Sequence, residues 1–260
     1  AFSQRDGGGG GDASWVIPVT VAVSPGYLTL VVGTADGMML SLPSANGDAG
    51  DAEDFDAEAF ADAGADVVVS KLLDFHADSV YAVCTLKSEP STLFTAAADG
   101  SVRLWDANQG TMLAKKMLST QPFVCASSSK LVPLVALGTV DGMLRLVVAQ
   151  RPSMEAQKPR GGGGEDGMKT VYHEKLFTGA LTQLEFHPTL PLLAAASMMD
   201  GRVYVVSVRS GDIAIVATVV LAKPYSLAWV GASASGGDTT QLLVGTGDGA
   251  LWSADAPISA

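Results

Sequence analysis

The chain has 260 residues, 48% of them hydrophobic and only 17% charged, with a formal net charge of −11 and a pI near 4.5. That is enough apolar material for a sizeable buried core. The acidic balance repels phosphate backbones and anionic lipid, so it argues against nucleic acid and membrane as partners and points to basic protein segments.

The N-terminal stretch "AFSQRDGGGGG" holds no basic region followed by an apolar run. No signal peptide is therefore expected, and residues 1–13 read as a Gly-rich linker. The first structural unit, 14–75, opens with "VTVAVS" and "LTLVVGT" and turns at Asp36-Gly37. Between its third and fourth apolar runs lies an acidic insertion, 44–65, without Lys or Arg. Its composition predicts a solvated loop. Phe55, Ala59 and Ala63 fall at helical spacing with Phe60 beside them, so a helix that docks in a basic-rimmed groove is the alternative.

The second unit, 76–118, reads "VYAVCTL", "TLFTAAA", Asp99-Gly100, "SVRLW" and "GTMLAKKML". The third, 119–178, turns at Asp141-Gly142 and carries an insertion at 149–168. The fourth, 179–220, turns at Asp200-Gly201, and the fifth, 221–260, turns at Asp248-Gly249 but has no fourth run. The longest apolar stretch, "IAIVATVVLA", is too short to span a bilayer as a helix at about 1.5 Å per residue.

Each Asp-Gly pair sits between two short apolar runs, which predicts a β-hairpin: Gly accepts positive φ and Asp bonds the amides of its own turn. With one run upstream and one downstream, each unit is four short strands. Setting the insertions aside, the period is about 40 to 48 residues, the range of a β-propeller blade. A lone four-stranded sheet cannot bury both faces, but sheets packed face to face around an axis can. Runs of alanine on the second strand (Ala96, Ala97, Ala98; Ala194, Ala195, Ala196) would let neighbouring sheets approach closely. The expected fold is all-β: a propeller with five recognisable four-stranded blades, the last incomplete, within a seven-bladed or larger multi-propeller chain.

The segment "HADSVYAVCTLKSEPSTLFTAAADGSVRLWDANQG" resembles the WD-repeat family. The resemblance implies a structural tetrad, His76, Thr95, Asp99 and Trp105, in which indole, hydroxyl, imidazole and carboxylate hydrogen-bond in series. The other units keep the turn aspartates Asp36, Asp141, Asp200 and Asp248 but place Leu42, Val147, Val206 and Ala254 where Trp105 stands. Val32 and Ala196 stand where Thr95 does. Within the family, "FHPTLPLLAAASMMDGRVYVVSV" and the divergent repeats are similar to large multi-propeller proteins of cilia and flagella.

His76, Thr95 and Asp99 also have the residue types of a hydrolytic triad. The aspartate recurs in units that lack the other members, which assigns it to the turn. Among ionisable groups the first runs of the units offer Glu185 and little else, so no catalytic residue is expected. His173 and His187 stand alone and read as surface or turn residues, not metal ligands. Cys84 and Cys125 lie in apolar runs and read as buried reduced thiols of a cytosolic protein. No metal or cofactor is expected.

These readings predict a non-enzymatic, cytoplasmic interaction scaffold in a large multiprotein assembly, with a ciliary or flagellar axoneme as one setting. Trafficking coats and ribosome-assembly factors stay open. The alternative is a propeller that acts through its channel at Glu185, as a hydrolase or a reader of peptide tails.

Overall fold

The computed structural model describes residues 2–3, 15–16, 18–24, 29–42, 70–71, 76–86, 89–152, 167–209, 212–231 and 240–255. The acidic insertion, with the helical spacing of its Phe55, Ala59 and Ala63, and residues 153–166 of the second insertion lie outside that set. All regular structure in the described residues is β, and no helix there is long and apolar enough to cross a membrane.

Strands β1 (Phe2–Ser3) and β2 (Trp15–Val16) form a small antiparallel pair. It falls partly in the stretch expected to be a linker. Five antiparallel sheets follow in chain order. The first holds β3 (Pro18–Ser24), β4 (Thr29–Thr34), β5 (Met39–Leu42) and β6 (Ser70–Lys71). The second holds β7 (Val80–Leu86), β8 (Glu89–Ala97), β9 (Ser101–Asp106) and β10 (Thr111–Met117). The third holds β11 (Phe123–Ser128), β12 (Leu134–Thr139), β13 (Met143–Ala149) and β14 (Met168–Lys175). The fourth holds β15 (Gln183–Phe186), β16 (Leu192–Ser197), β17 (Arg202–Arg209) and β18 (Asp212–Val220). The fifth has three strands among the described residues: β19 (Pro224–Gly231), β20 (Thr240–Thr246) and β21 (Leu251–Asp255).

In each sheet neighbouring strands are consecutive in sequence. The first strands β3, β7, β11, β15 and β19 adjoin one another in that order. The core is a series of four seams. Val31 and Met39 of the first sheet meet Leu93, Ala97 and Trp105 of the second. Phe94 and Ala96 turn the other way, onto Phe123, Val135 and Leu137. The third and fourth sheets meet through Ala136, Leu146, Leu184 and Phe186, and the fourth and fifth through Ala194, Ala196, Leu227 and Val244. Alternation along β8 therefore supplies two seams at once, because successive side chains leave opposite faces. This is why β12 and β16 are buried along their whole length and read as unbroken apolar runs.

The turn glycines do more than reverse the chain. Gly37, Gly100, Gly142, Gly201 and Gly249 all have positive φ, between 61° and 88°. The first four also hold the chain as it enters the next sheet. The carbonyl of Gly37 accepts the His76 N–H at 3.2 Å, and that of Gly100 accepts Leu118 and Ser119 at 3.1 Å. The Gly142 carbonyl accepts Leu176 at 3.0 Å and Phe177 at 3.3 Å, and that of Gly201 accepts Leu221 at 3.0 Å.

Candidate functional site

Trp105 sits on β9 in the seam between the first and second sheets, fully buried. Its indole N–H donates to Thr95 Oγ1 at 2.9 Å. Thr95 Oγ1 lies 2.9 Å from His76 Nε2. The Asp99 carboxylate that faces Nδ1 can only accept, so the imidazole proton is on Nδ1, and Nε2 accepts the Thr95 hydroxyl, whose oxygen takes the indole N–H. Nδ1 faces both carboxylate oxygens of Asp99 at 3.3 Å and Ser101 Oγ at 3.0 Å. The structure thus brings together the four residues singled out in the sequence.

Burial, reinforced by the Arg103 guanidinium and opposed by Asp99, pushes His76 down to about 4, so the ring is neutral at pH 7. Arg103 is itself buried, its Cζ 5.9 Å from the centre of the Trp105 ring. Burial pushes Asp99 up, but the hydrogen bonds from Ala77 N and the Ser101 hydroxyl and amide outweigh it and hold the carboxyl below its usual range. Ser101 is a fifth member that the sequence reading missed. Its place two residues after the aspartate, where its amide and hydroxyl both face back into the turn, was the available signal.

The turn aspartates fall into two arrangements. Asp36, Asp141 and Asp248 each accept the hydroxyl of the threonine two residues earlier: Thr34, Thr139 and Thr246. Asp99 has Ala97 in that place and no such partner there; before Asp200, the extra residue of the fourth turn puts Ser197 in that place, and its hydroxyl is a smaller partner of the carboxylate. Asp99 and Asp200 reach back 22 residues to the loop that enters their own sheet. Asp99 takes the Ala77 amide, and Asp200 takes the Thr178 amide and hydroxyl and the Gly179 amide. The Thr178 hydroxyl, then the amides of Gly179 and Thr178 and the Ser197 hydroxyl, outweigh burial and hold Asp200 below the usual carboxylate range. Where His76 precedes Ala77, Phe177 precedes Thr178, and it stacks on Tyr204 with ring centroids 4.8 Å apart. An aromatic pair replaces the polar chain.

Strand pairing corrects one sequence alignment. Counting back from Asp200 sets Ala196 in the place of Thr95. In the sheets, Thr95 pairs with Arg103 and Trp105 with Leu93, while Ala195 pairs with Tyr204 and Val206 with Leu193. Ala195 is the equivalent, because the fourth turn contains one residue more.

Asp106, the residue after Trp105, has a separate task. Its Oδ1 accepts the Asn108 and Gln109 amides, closing the next turn, and its Oδ2 accepts Arg151. Burial alone would raise its pKa; the Gln109 amide, Arg151 and the Asn108 amide prevail and lower it.

Elsewhere the expected residues lie apart. Glu185 is half-buried on β15, its carboxyl pushed up by burial against the opposing pull of Lys130. Its backbone carbonyl accepts the Trp229 indole at 3.0 Å, and the Gln183 amide pairs with both backbone groups of Leu227, so β15 and β19 are cross-linked. His173 is exposed on β14. His187 follows β15 in a turn but is buried, not on the surface: Nδ1 accepts the Thr189 and Leu190 amides, and the ring lies 4.8 Å from that of Trp229. Cys84 and Cys125 are buried free thiols, each pushed up to about 12 by burial. Among the described residues no group of three or more His, Cys, Asp and Glu is placed to hold a metal ion.

Chemically, the His76–Thr95–Asp99 set is closed. The Thr95 hydroxyl and the imidazole are buried, and each atom that a hydrolytic triad would direct at substrate is committed to a neighbour. The arrangement is a brace between the inner strands of the second sheet and the loop that enters it.

These geometries are those of an antiparallel repeat unit, and comparison with known proteins places the resemblance in the same stretch. Residues 68–106 match the family described as "WD domain, G-beta repeat". The chain is also similar to "Cilia- and flagella-associated protein 43" of Chlamydomonas reinhardtii, 28% identical over 114 residues. That match covers 44% of this chain and 7% of the length of the curated relative.

Proposed function

We propose that this chain is a segment of a WD-repeat propeller, with blades at 14–75, 76–118, 119–178, 179–220 and 221–260, that serves as a non-catalytic docking platform in a large protein assembly. The observation that carries the reading is the fate of the repeated polar residues. Asp36, Asp99, Asp141, Asp200 and Asp248 all bond their own turns or the adjoining entry loops. What the repeats then present outward is loops, turns and sheet surface, the material of recognition. Large apolar side chains are exposed at the end that carries the Asp-Gly turns, among them Met117, Val140, Met199, Val220 and Tyr225. With the net charge of −11, they suit partner segments that combine basic and apolar side chains.

The similarity to a cilia- and flagella-associated protein supports an axonemal setting. Tagging the protein in its source organism and capturing its neighbours tests both parts. Recovery of axonemal proteins whose binding weakens with salt is expected; a diffuse protein with no stable neighbours would overturn the reading. The channel alternative rests on Glu185 and its raised pKa. Loss of a bound small molecule or peptide on Glu185→Gln, with assembly intact, would favour it.

A further inference from the structure

The longest apolar run in the sequence, "IAIVATVVLA", forms most of β18, the outer strand of the fourth sheet. The strand has no ionisable residue after Asp212, its first. An outer strand leaves alternate backbone N–H and C=O groups unpaired along its free edge, and charged side chains there are what ordinarily deter another strand from pairing.

Strand register shows how the other outer strands are guarded. Lys71, Lys115, His173 and Thr218 hold equivalent positions, opposite Leu40, Arg103, Arg145 and Tyr204. The next two residues are Lys116 and Met117 on β10, Glu174 and Lys175 on β14, and Val219 and Val220 on β18. Ionisable residues thus stand on β6, β10 and β14 where β18 has Thr-Val-Val. A bulge does not account for the difference, because β10, β14 and β18 each carry one at the same place, at Leu113, Val171 and Val216. Ile215 and Val220 are 47% and 73% exposed.

The flanks of this edge are open as well. Lys116 lies on the side of β10 that faces the third sheet, and its ammonium donates to the Met168 carbonyl of β14 at 2.8 Å. Glu174 has the matching place on β14 and faces the fourth sheet, since its partner Leu144 belongs to that seam. A carboxylate cannot donate to a backbone carbonyl. It accepts the Tyr172 hydroxyl of its own strand at 2.5 Å instead. The strap between the second and third sheets therefore has no counterpart at this position between the third and fourth, and an exposed acid stands there. On the other side of the edge Trp252, whose partner Val244 packs on the fourth sheet, is 54% exposed.

We infer that the outer edge of β18 is a strand-addition site for an extended segment of a partner protein, uncharged where it lies along residues 213–220 and basic at its ends. The inference rests on the docking-platform reading and gives that platform a place and a mode. Backbone hydrogen bonds supply the pairing, and alternate side chains of the segment fall to the Glu174 side and the Trp252 side. A charge opposite 213–220 would lose water and find no counter-charge on the strand, which sets the middle of the segment. Glu174 and the net charge of −11 set its ends. A second copy fits poorly. It brings the same charge, and a strip nine residues long, about 30 Å, buries far less than the roughly 1,200 Å² of a stable interface.

The probe is a synthetic segment of alternating Val and Thr with two Lys at each end. Hydrogen exchange of the β18 amides should slow by about tenfold or more when it is added to the protein. Thr218→Lys with Val220→Lys copies the guard of β10 and β14 onto two exposed positions, so the melting temperature should hold and the protection should vanish. The same segment with Glu in place of Lys should bind about tenfold or more weakly at low salt. No protection by the lysine-ended segment, equal protection in the double variant, or equal binding of the two segments overturns the inference. So does protection of β18 that grows with protein concentration alone, since the edge then pairs with a second copy. The control is Val140→Lys with Met199→Lys at the Asp-Gly turns. If that variant loses partner capture in the source organism while the β18 variant keeps it, the edge fails and the docking platform stands.

Discussion

Arg151 Nη2 donates to Asp106 Oδ2 at 2.6 Å, joining the end of the third strand in one sheet to the end of the third strand in the sheet before it. The Arg151 amide also donates to Glu89 Oε2 at 3.2 Å. The Asp106 side chain is 4% exposed and that of Arg151 is 35% exposed. Removing the two partners should therefore have unequal effects. Arg151→Met leaves Asp106 with its two amides and should cost about 1–2 kcal/mol. Asp106→Ala removes the amide acceptor as well and should cost about 2–4 kcal/mol. Urea denaturation of both variants measures the difference, and equal costs would mean that the turn amides contribute nothing.

The Trp105–Thr95–His76 series makes a coupling prediction. Thr95→Val strands two buried groups at once, the indole N–H and Nε2, and should cost about 2–4 kcal/mol. Trp105→Phe removes the donor and part of the packing, at about 2–3 kcal/mol. Together the two changes should cost less than their sum by roughly 1 kcal/mol, because the second removes a group already unpaired. Additive losses in a double-mutant cycle would show that the three groups do not act as a unit.

Acid should destabilise the fold in a defined window. The folded His76 titrates near 4 and the unfolded residue near 6.5, so the unfolded chain binds more protons between those values. Stability then falls as the pH is lowered from 6.5 toward 4, by at most about 3 kcal/mol. Asp99 is held below its ordinary value, so its contribution is lost only at lower pH. In His76→Gln the slope above pH 4 should flatten. An unchanged slope in unfolding free energy against pH would assign the acid sensitivity elsewhere.

Two glycines with nearly the same backbone separate turn strain from docking. Gly142 has φ 86° and lies against the Phe177 carbonyl, while Gly249 has φ 88° and faces open space. Alanine at either position meets the positive-φ penalty of about 1 kcal/mol. Only Gly142→Ala also pushes away the chain that enters the next sheet, so it should cost at least about 2 kcal/mol more than Gly249→Ala. Thermal unfolding of the two variants decides the matter.

The cysteines should be silent. With both thiols buried and pushed up to about 12, neither Cys84 nor Cys125 should react with iodoacetamide at pH 8 until the protein is unfolded. Labelling of folded protein at the rate of a free thiol would contradict the packing of β7 against β11.

The amino-acid sequence by itself determined what is local and periodic. Asp-Gly between short apolar runs marks each hairpin through backbone chemistry, and the residue types of His76, Thr95, Asp99 and Trp105 announce a donor–acceptor series. The difference between the turns was partly written there, since Thr34, Thr139 and Thr246 each stand two residues before an aspartate, whereas Ala97 has that place in the second unit and Ser197 stands three residues before Asp200. Only the tertiary structure decided the rest. Arg151 finds Asp106, Phe177 stacks on Tyr204, and the Gly142 carbonyl meets Phe177 because separate sheets are pressed together. Such pairings depend on the relative position of chain segments far apart in sequence, and no spacing rule encodes that distance.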